Sequence, residues 1–154
     1  MLIEQYADNN AVQIRQKEGA PTAYIWGYDH RYVVAKIENA TFSEVTAAIA
    51  TLDSQYNTLS KIQDVTDADN DRTQNYSGNE GKVREALEAL RNSNSLPANA
   101  QVTSYTYDPL IGVTSITDPR GETLYYEYDE FNRLKEVLDA QGNILSKTQY
   151  RYKD

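Results

Sequence analysis

Tyr105-Thr106-Tyr107-Asp108 and Tyr126-Glu127-Tyr128-Asp129 decide how this chain is read, because the second repeats the first at an offset of 21 residues. The same offset lays Val113 on Leu134, Ile116 on Val137, Asp118 on Asp139 and Gly121 on Gly142. A unit therefore carries one Tyr-x-Tyr-Asp, one apolar pair and one Asp-x-x-Gly. Side chains in a strand alternate between faces, so Tyr-x-Tyr sets two rings on one face. Asp118-Pro119-Arg120-Gly121 has the residue preferences of a type I turn, and Glu130-Phe131-Asn132 reads as the turn at the other end of a hairpin. The unit is strand, turn, strand, turn. A third pass arrives late, with its tyrosines at Tyr150 and Tyr152.

The N-terminal part has related features. Asn9-Asn10 and Glu18-Gly19 bracket a strand at 11–16, and an aromatic strand follows at 22–28. Tyr28-Asp29 can be laid on Tyr128-Asp129, which puts Val34 on Leu134 and Ile37 on Val137. The middle differs. Val45, Ile49, Leu52, Tyr56, Leu59 and Ile62 recur at helical spacing, with Thr41-x-x-Glu44 ahead of them as a capping box. A second helix is predicted over about 80–92, with Val83, Leu87 and Leu90 on one face and Ser77-x-x-Glu80 as its cap. The expected fold is mainly β (α+β): a curved antiparallel sheet of consecutive hairpins with a two-helix insertion. The expected division is 1–41 for the N-terminal hairpins, 42–95 for the helical hairpin with its polar loop at 64–78, and 96–154 for the repeats, all in one structural domain.

Bulk properties exclude several functions. The net charge of −8 opposes binding to nucleic acid or anionic lipid through electrostatics. The absence of cysteine excludes disulfides and thiolate chemistry. No segment has transmembrane length, and Met1–Tyr6 lacks the basic and apolar regions of a signal peptide. The chain holds 13 tyrosines against 2 phenylalanines and 1 tryptophan, a composition suited to half-buried sheet surfaces.

Candidate sites were weighed against simpler roles. Asp67, Asp69 and Asp71 match the first ligand positions of a calcium loop, but Arg72 replaces the turn glycine and Gly78 the bidentate glutamate. A solvated inter-helix loop accounts for them better. His30 is the single histidine and reads as a turn residue. Glu127, Asp129 and Glu130 are not arranged as a general-acid pair, so no catalytic residue and no cofactor are expected. Tyr105, Tyr107, Tyr126 and Tyr128 are expected to bury against neighbouring strands as sheet glue. The competing reading is an aromatic platform for glycans, with Trp26 as the binding anchor.

These motifs, together with Tyr126–Leu134, Asp139-Ala140-Gln141-Gly142 and Leu110–Pro119, resemble YD repeats of the RHS family. Tyr24–Tyr28 and Val33–Ala40 resemble the segment before the repeats in very large RHS-type proteins of Bacteroidetes. The resemblance implies a sheet that spirals into a hollow shell, enclosing a C-terminal toxin in bacterial members and forming part of an adhesion ectodomain in animal teneurins. It further implies a secreted or cell-surface parent, of which this chain is a fragment upstream of the core-associated, self-cleaving segment. Its partners would then be the remaining repeats, or another copy, at open sheet edges. The function expected is a structural scaffold module without catalysis; the alternative is an adhesion or carbohydrate- or protein-binding module.

Overall fold

The computed structural model describes residues 1–56, Ile62 and 77–148. Within them nine strands form one antiparallel sheet in strict chain order: β1 (Leu2–Ala7), β2 (Asn10–Arg15), β3 (Pro21–Gly27), β4 (Tyr32–Glu38), β5 (Gln101–Asp108), β6 (Gly112–Thr117), β7 (Thr123–Tyr128), β8 (Leu134–Leu138) and β9 (Ile144–Lys147). β1 and β9 do not pair with each other, so the sheet is open. Among the described residues two helices enter between β4 and β5: α1 (Phe42–Tyr56) and α2 (Gly78–Arg91). The insertion leaves the strand order undisturbed, because β4 pairs directly with β5 through Ala35–Ser104 and Ile37–Val102.

Both helices pack on one face of the sheet, α1 mainly on β3 and α2 mainly on β5. The core lies in that layer. Ala23, Ile25, Ala35, Ile37 and Val102 from the sheet meet Val45, Ala48, Ile49, Leu52, Val83, Leu87 and Leu90 from the helices. The helical periodicity accounts for this, since it gathers those side chains onto one stripe of each helix. Thr41 and Glu44 close the capping box at α1: the Thr41 N–H donates to Glu44 Oε2 at 2.8 Å, and the Glu44 N–H to Thr41 Oγ1 at 3.2 Å. At α2 the expectation fails. Ser77 makes no side-chain cap, and Glu80 is drawn inward to be 1% exposed.

Each of the first four hairpins contains one extra residue on its second strand. Val12, Val34, Thr114 and Lys135 have no partner in the register between Gln13 and Ala11, Ala35 and Val33, Ser115 and Val113, and Glu136 and Leu134. Such a bulge puts two successive residues on the same face. Val12, Val34 and Thr114 are accordingly buried beneath the helix layer. Lys135 holds the same place in β8 and is exposed.

The bulges correct the N-terminal alignment. Trp26 pairs with Val33 across the bulge, just as Tyr107 pairs with Val113 and Tyr128 with Leu134. Tyr24-Ile25-Trp26, not Tyr28-Asp29, therefore occupies the Tyr-x-Tyr position. From Trp26 to its partner Val33 the chain is one residue longer than from Tyr107 to Val113 or from Tyr128 to Leu134, which shifts a sequence alignment anchored on Tyr-Asp. Tyr28 has left the strand with a φ of 54° and its side chain turns into the core.

Candidate functional site at the hairpin seams

The repeated features meet where one hairpin joins the next. The second aromatic of each unit reaches back to the carbonyl just before the bulge of the preceding hairpin. Trp26 Nε1–H donates to Ala11 O at 2.9 Å, Tyr107 Oη–H to Val33 O at 2.8 Å and Tyr128 Oη–H to Val113 O at 2.8 Å. A bulge interrupts the ladder and leaves a carbonyl to be satisfied from elsewhere. The aromatic side chain of the next hairpin satisfies it, and three successive seams share this latch. Trp26, the candidate binding anchor, thus commits its only donor to the sheet.

At the middle seam the latch broadens into an aromatic cluster. Tyr28 and Tyr32 sit edge to face with ring centroids 5.7 Å apart, Tyr32 stacks on Tyr107 at 4.8 Å, and Tyr107 stacks on Tyr105 at 6.5 Å. The Tyr107 N–H donates to Tyr28 Oη at 2.7 Å. Burial pushes the Tyr107 phenol up to about 12. Burial likewise raises the Tyr105 phenol, partly offset by nearby Lys36.

Tyr105, Tyr107, Tyr126 and Tyr128 are half-buried rather than buried. On β5 the residues facing the helices are Val102, Ser104 and Thr106, so Tyr105 lies on the opposite side of the sheet. On β7 the buried ring is Tyr125, which the repeat does not mark; it lies beneath the Arg84 guanidinium, 5.4 Å from the ring centroid.

The turns use one device three times. Asp118 Oδ1 accepts the N–H groups of Arg120 and Glu122 at 2.9 and 3.0 Å. Asp129 Oδ1 accepts those of Phe131 and Arg133 at 2.9 and 3.0 Å, and Asp139 Oδ1 those of Gln141 and Asn143, both at 2.9 Å. Three residues on, Gly121, Asn132 and Gly142 take left-handed φ values of 87°, 61° and 84°. Asn132 thus fills the glycine position, the non-glycine residue best suited to it. For Asp118 and Asp129 desolvation would raise the pKa, but the backbone N–H bonds outweigh it and hold both below the usual carboxylate range. The Asn143 side-chain amide and backbone do the same for Asp139.

Asp108 departs from this pattern. It ends β5 opposite Gly112 and is 1% exposed, whereas its repeat partner Asp129 caps a turn. The turn following Asp108 keeps the backbone bond that the Asp turns also make, Ile111 N–H onto Asp108 O, with Leu110 left-handed.

Sequence reasoning missed the polar seam between α2 and the sheet. Glu80 Oε1 accepts from Thr114 Oγ1 at 3.0 Å, and Glu80 Oε2 lies 3.4 Å from Arg84 Nη1. The same Arg84 nitrogen is 3.4 Å from both Thr106 Oγ1 and Ser115 Oγ. Arg91 reaches Ser104 Oγ at 2.8 Å and Val102 O at 3.2 Å. The available signal was polar residues on the inward-facing positions of β5 and β6 together with Arg at both 84 and 91 on one side of α2.

Among the described residues no group of three His, Cys, Asp or Glu side chains could hold a metal ion. Asp67, Asp69 and Asp71 lie outside the described residues, as do Tyr150 and Tyr152. No helix among the described residues is long and apolar enough to cross a membrane.

Bulged hairpins in chain order, fastened at three successive seams and with Asp turns closing the last three strand connections, define a β-hairpin repeat protein. Residues 112–144 match the family model of the RHS Repeat. That stretch holds β6, β7 and β8 with all three Asp turns complete. That part of the chain is thereby identified as similar to an RHS repeat, and the chain carries a structural repeat module there. No curated protein and no solved structure matches the chain.

Proposed function

We propose that this chain is wall material: a scaffold module that builds part of an RHS-type shell and performs no catalysis itself. The carrying observation is the triple recurrence of the latch at Trp26–Ala11, Tyr107–Val33 and Tyr128–Val113. A device that fastens each hairpin to the one before it is additive along a sheet and has no use for a pocket or a nucleophile. The nine strands in unbroken chain order support the same reading. In this view the parent protein is secreted or displayed at the cell surface, in keeping with the typical location of RHS-repeat proteins. Its shell encloses a C-terminal toxin or effector, and the partners of this segment are neighbouring repeats at the sheet edges.

The test is cryo-electron microscopy of the full polypeptide encoded by the native reading frame. An enclosed wall, with this segment contributing consecutive strands, is the expected result. A segment standing apart from any continuous sheet overturns the proposal.

A second reading, adhesion or glycan binding, draws on one observation: Tyr105 is half-exposed on the sheet side away from the helices. Glycan-array binding that disappears in Tyr105→Ala, with thermal stability retained, favours that reading over a purely structural one.

A further inference from the structure

A cleft of about 140 Å³ lies where the β1–β2 and β3–β4 turns meet α1. Val12, Trp26, Phe42 and Ile49 line it together with Asp8 and His30, the latter two 3.8 Å apart. An apolar cavity of about 150 Å³ holds one benzene-sized ring. The cleft is therefore too small for a drug-sized molecule and large enough for a single ring.

The backbone around it provides a separate indication. Two turns bound the cleft: Asp8 and Asn9 form the ordinary two-residue hairpin turn with positive φ, whereas the β3–β4 turn places positive φ on Tyr28, Asp29 and His30. Tyr28, Asp29 and His30 are consecutive, with φ of 54°, 56° and 62°. Left-handed geometry in three successive side-chain-bearing residues is unfavourable and is retained where surroundings over-determine it, as at active sites, ligand clamps and switch regions. The Asn10 side chain ties the two turns together by donating to His30 O at 2.7 Å. The Asp turns of the repeat need nothing comparable, each using a single left-handed residue.

We propose that this cleft is a binding site for an aromatic ring bearing a protonated amine. The apolar walls take the ring, and the Asp8 carboxylate takes the ammonium. Charge selects the ligand: the chain carries a net −8, and Asp8 and Asp29 both belong to these turns. The site is independent of the scaffold reading and holds whether or not the parent forms a shell.

The chain's single tryptophan and single histidine both line the cleft, so the intact protein reports on it directly. Benzylamine and benzyl alcohol are titrated at neutral pH, following Trp26 emission and the His30 imidazole protons by NMR. Saturable shifts in both signals are expected, with benzylamine the tighter ligand. Asp8→Asn, which suits a left-handed position, should weaken benzylamine about two- to fivefold and leave benzyl alcohol unchanged, as for a solvent-accessible ion pair. Thr46→Phe adds a ring at the exposed Thr46 position on the cleft wall and should abolish both shifts while leaving the circular dichroism unaltered. The proposal is overturned by shifts that stay linear in ligand, by binding that persists in Thr46→Phe, or by equal affinity of the two probes in the wild-type protein.

Discussion

The hydroxyl of Tyr128 donates to the carbonyl oxygen of Val113 at 2.8 Å, and the ring that carries it passes so close to Gly112 that a Cβ there would collide with the hydroxyl. One glycine and one tyrosine, 16 positions apart, are thus fitted to each other across the seam between two hairpins. Gly112→Ala should cost about 1–3 kcal/mol through overpacking. Tyr128→Phe should cost about 1 kcal/mol through the lost hydrogen bond. Removing the hydroxyl also relieves the worst of the collision and leaves the ring Cζ 3.0 Å from the added Cβ, so the double variant should be more stable than the sum of the two losses predicts. Urea denaturation of the four proteins in a double-mutant cycle measures the coupling.

Gly142 supplies the contrasting case. It has a φ of 84° and nothing within 4 Å of where a Cβ would sit. Gly142→Ala should therefore lose about 1–2 kcal/mol from backbone conformation alone. No second substitution in contact with it should restore that loss, and the same denaturation assay distinguishes the two glycines.

Arg84 and Glu80 form a buried pair against the hydroxyls of β5 and β6, with side chains 4% and 2% exposed. Arg84→Ala should destabilise the chain by about 3–5 kcal/mol, because it leaves the Glu80 charge buried without its cation. Replacing both with Leu and Met of similar volume should recover most of that loss. A double replacement as damaging as the single one would show that the hydroxyl contacts, not the ion pair, hold α2 in place.

Acid should weaken the turns. The Asp118, Asp129 and Asp139 carboxyls all titrate below their ordinary value when folded. Between the unfolded and folded pKa values the unfolded chain binds more protons, so stability falls as pH falls. The contribution is complete above about pH 4, the ordinary Asp value, and disappears as pH drops through the folded values. Replacing all three with Asn should flatten the acid limb of a stability–pH profile and leave its neutral region nearly level.

Alkali should act on the aromatic cluster in the opposite sense. The Tyr107 phenol is raised to about 12 when folded. From about pH 10, the ordinary Tyr value, the folded chain retains a proton that the unfolded chain releases, and stability falls with rising pH. Tyr107→Phe should reduce that slope and remove one late-titrating group from the tyrosinate absorbance curve.

Much of this fold was legible in local chemistry. Tyr-x-Tyr and Asp-x-x-Gly report strand alternation and turn closure, which depend on neighbours in sequence. The apolar stripes of Val45–Leu52 and Val83–Leu90 likewise show which helix faces are buried. The N-terminal repeat was misplaced because a bulge and one added loop residue change register without changing composition. Asn132 illustrates the same limit: it does the work of glycine, and only its φ reveals that Asp129–Arg133 is the same turn as Asp118–Glu122.

Local sequence accounts for the repeating unit: its period, its turn residues, its helical insertion and the absence of cysteine chemistry. Those follow from short-range geometry, where a residue's neighbours are known from its number. The use of each side chain depends instead on the folded arrangement. Trp26 became a latch, Tyr28 left its strand for the core, Tyr125 rather than Tyr126 became the buried ring, and Glu80 turned from a helix cap into the anion of a buried seam. Each outcome turns on which distant carbonyl, hydroxyl or cation lies within reach of the side chain. Burial makes an unsatisfied polar group costly, and partners at such separations are fixed by register and packing rather than by adjacency.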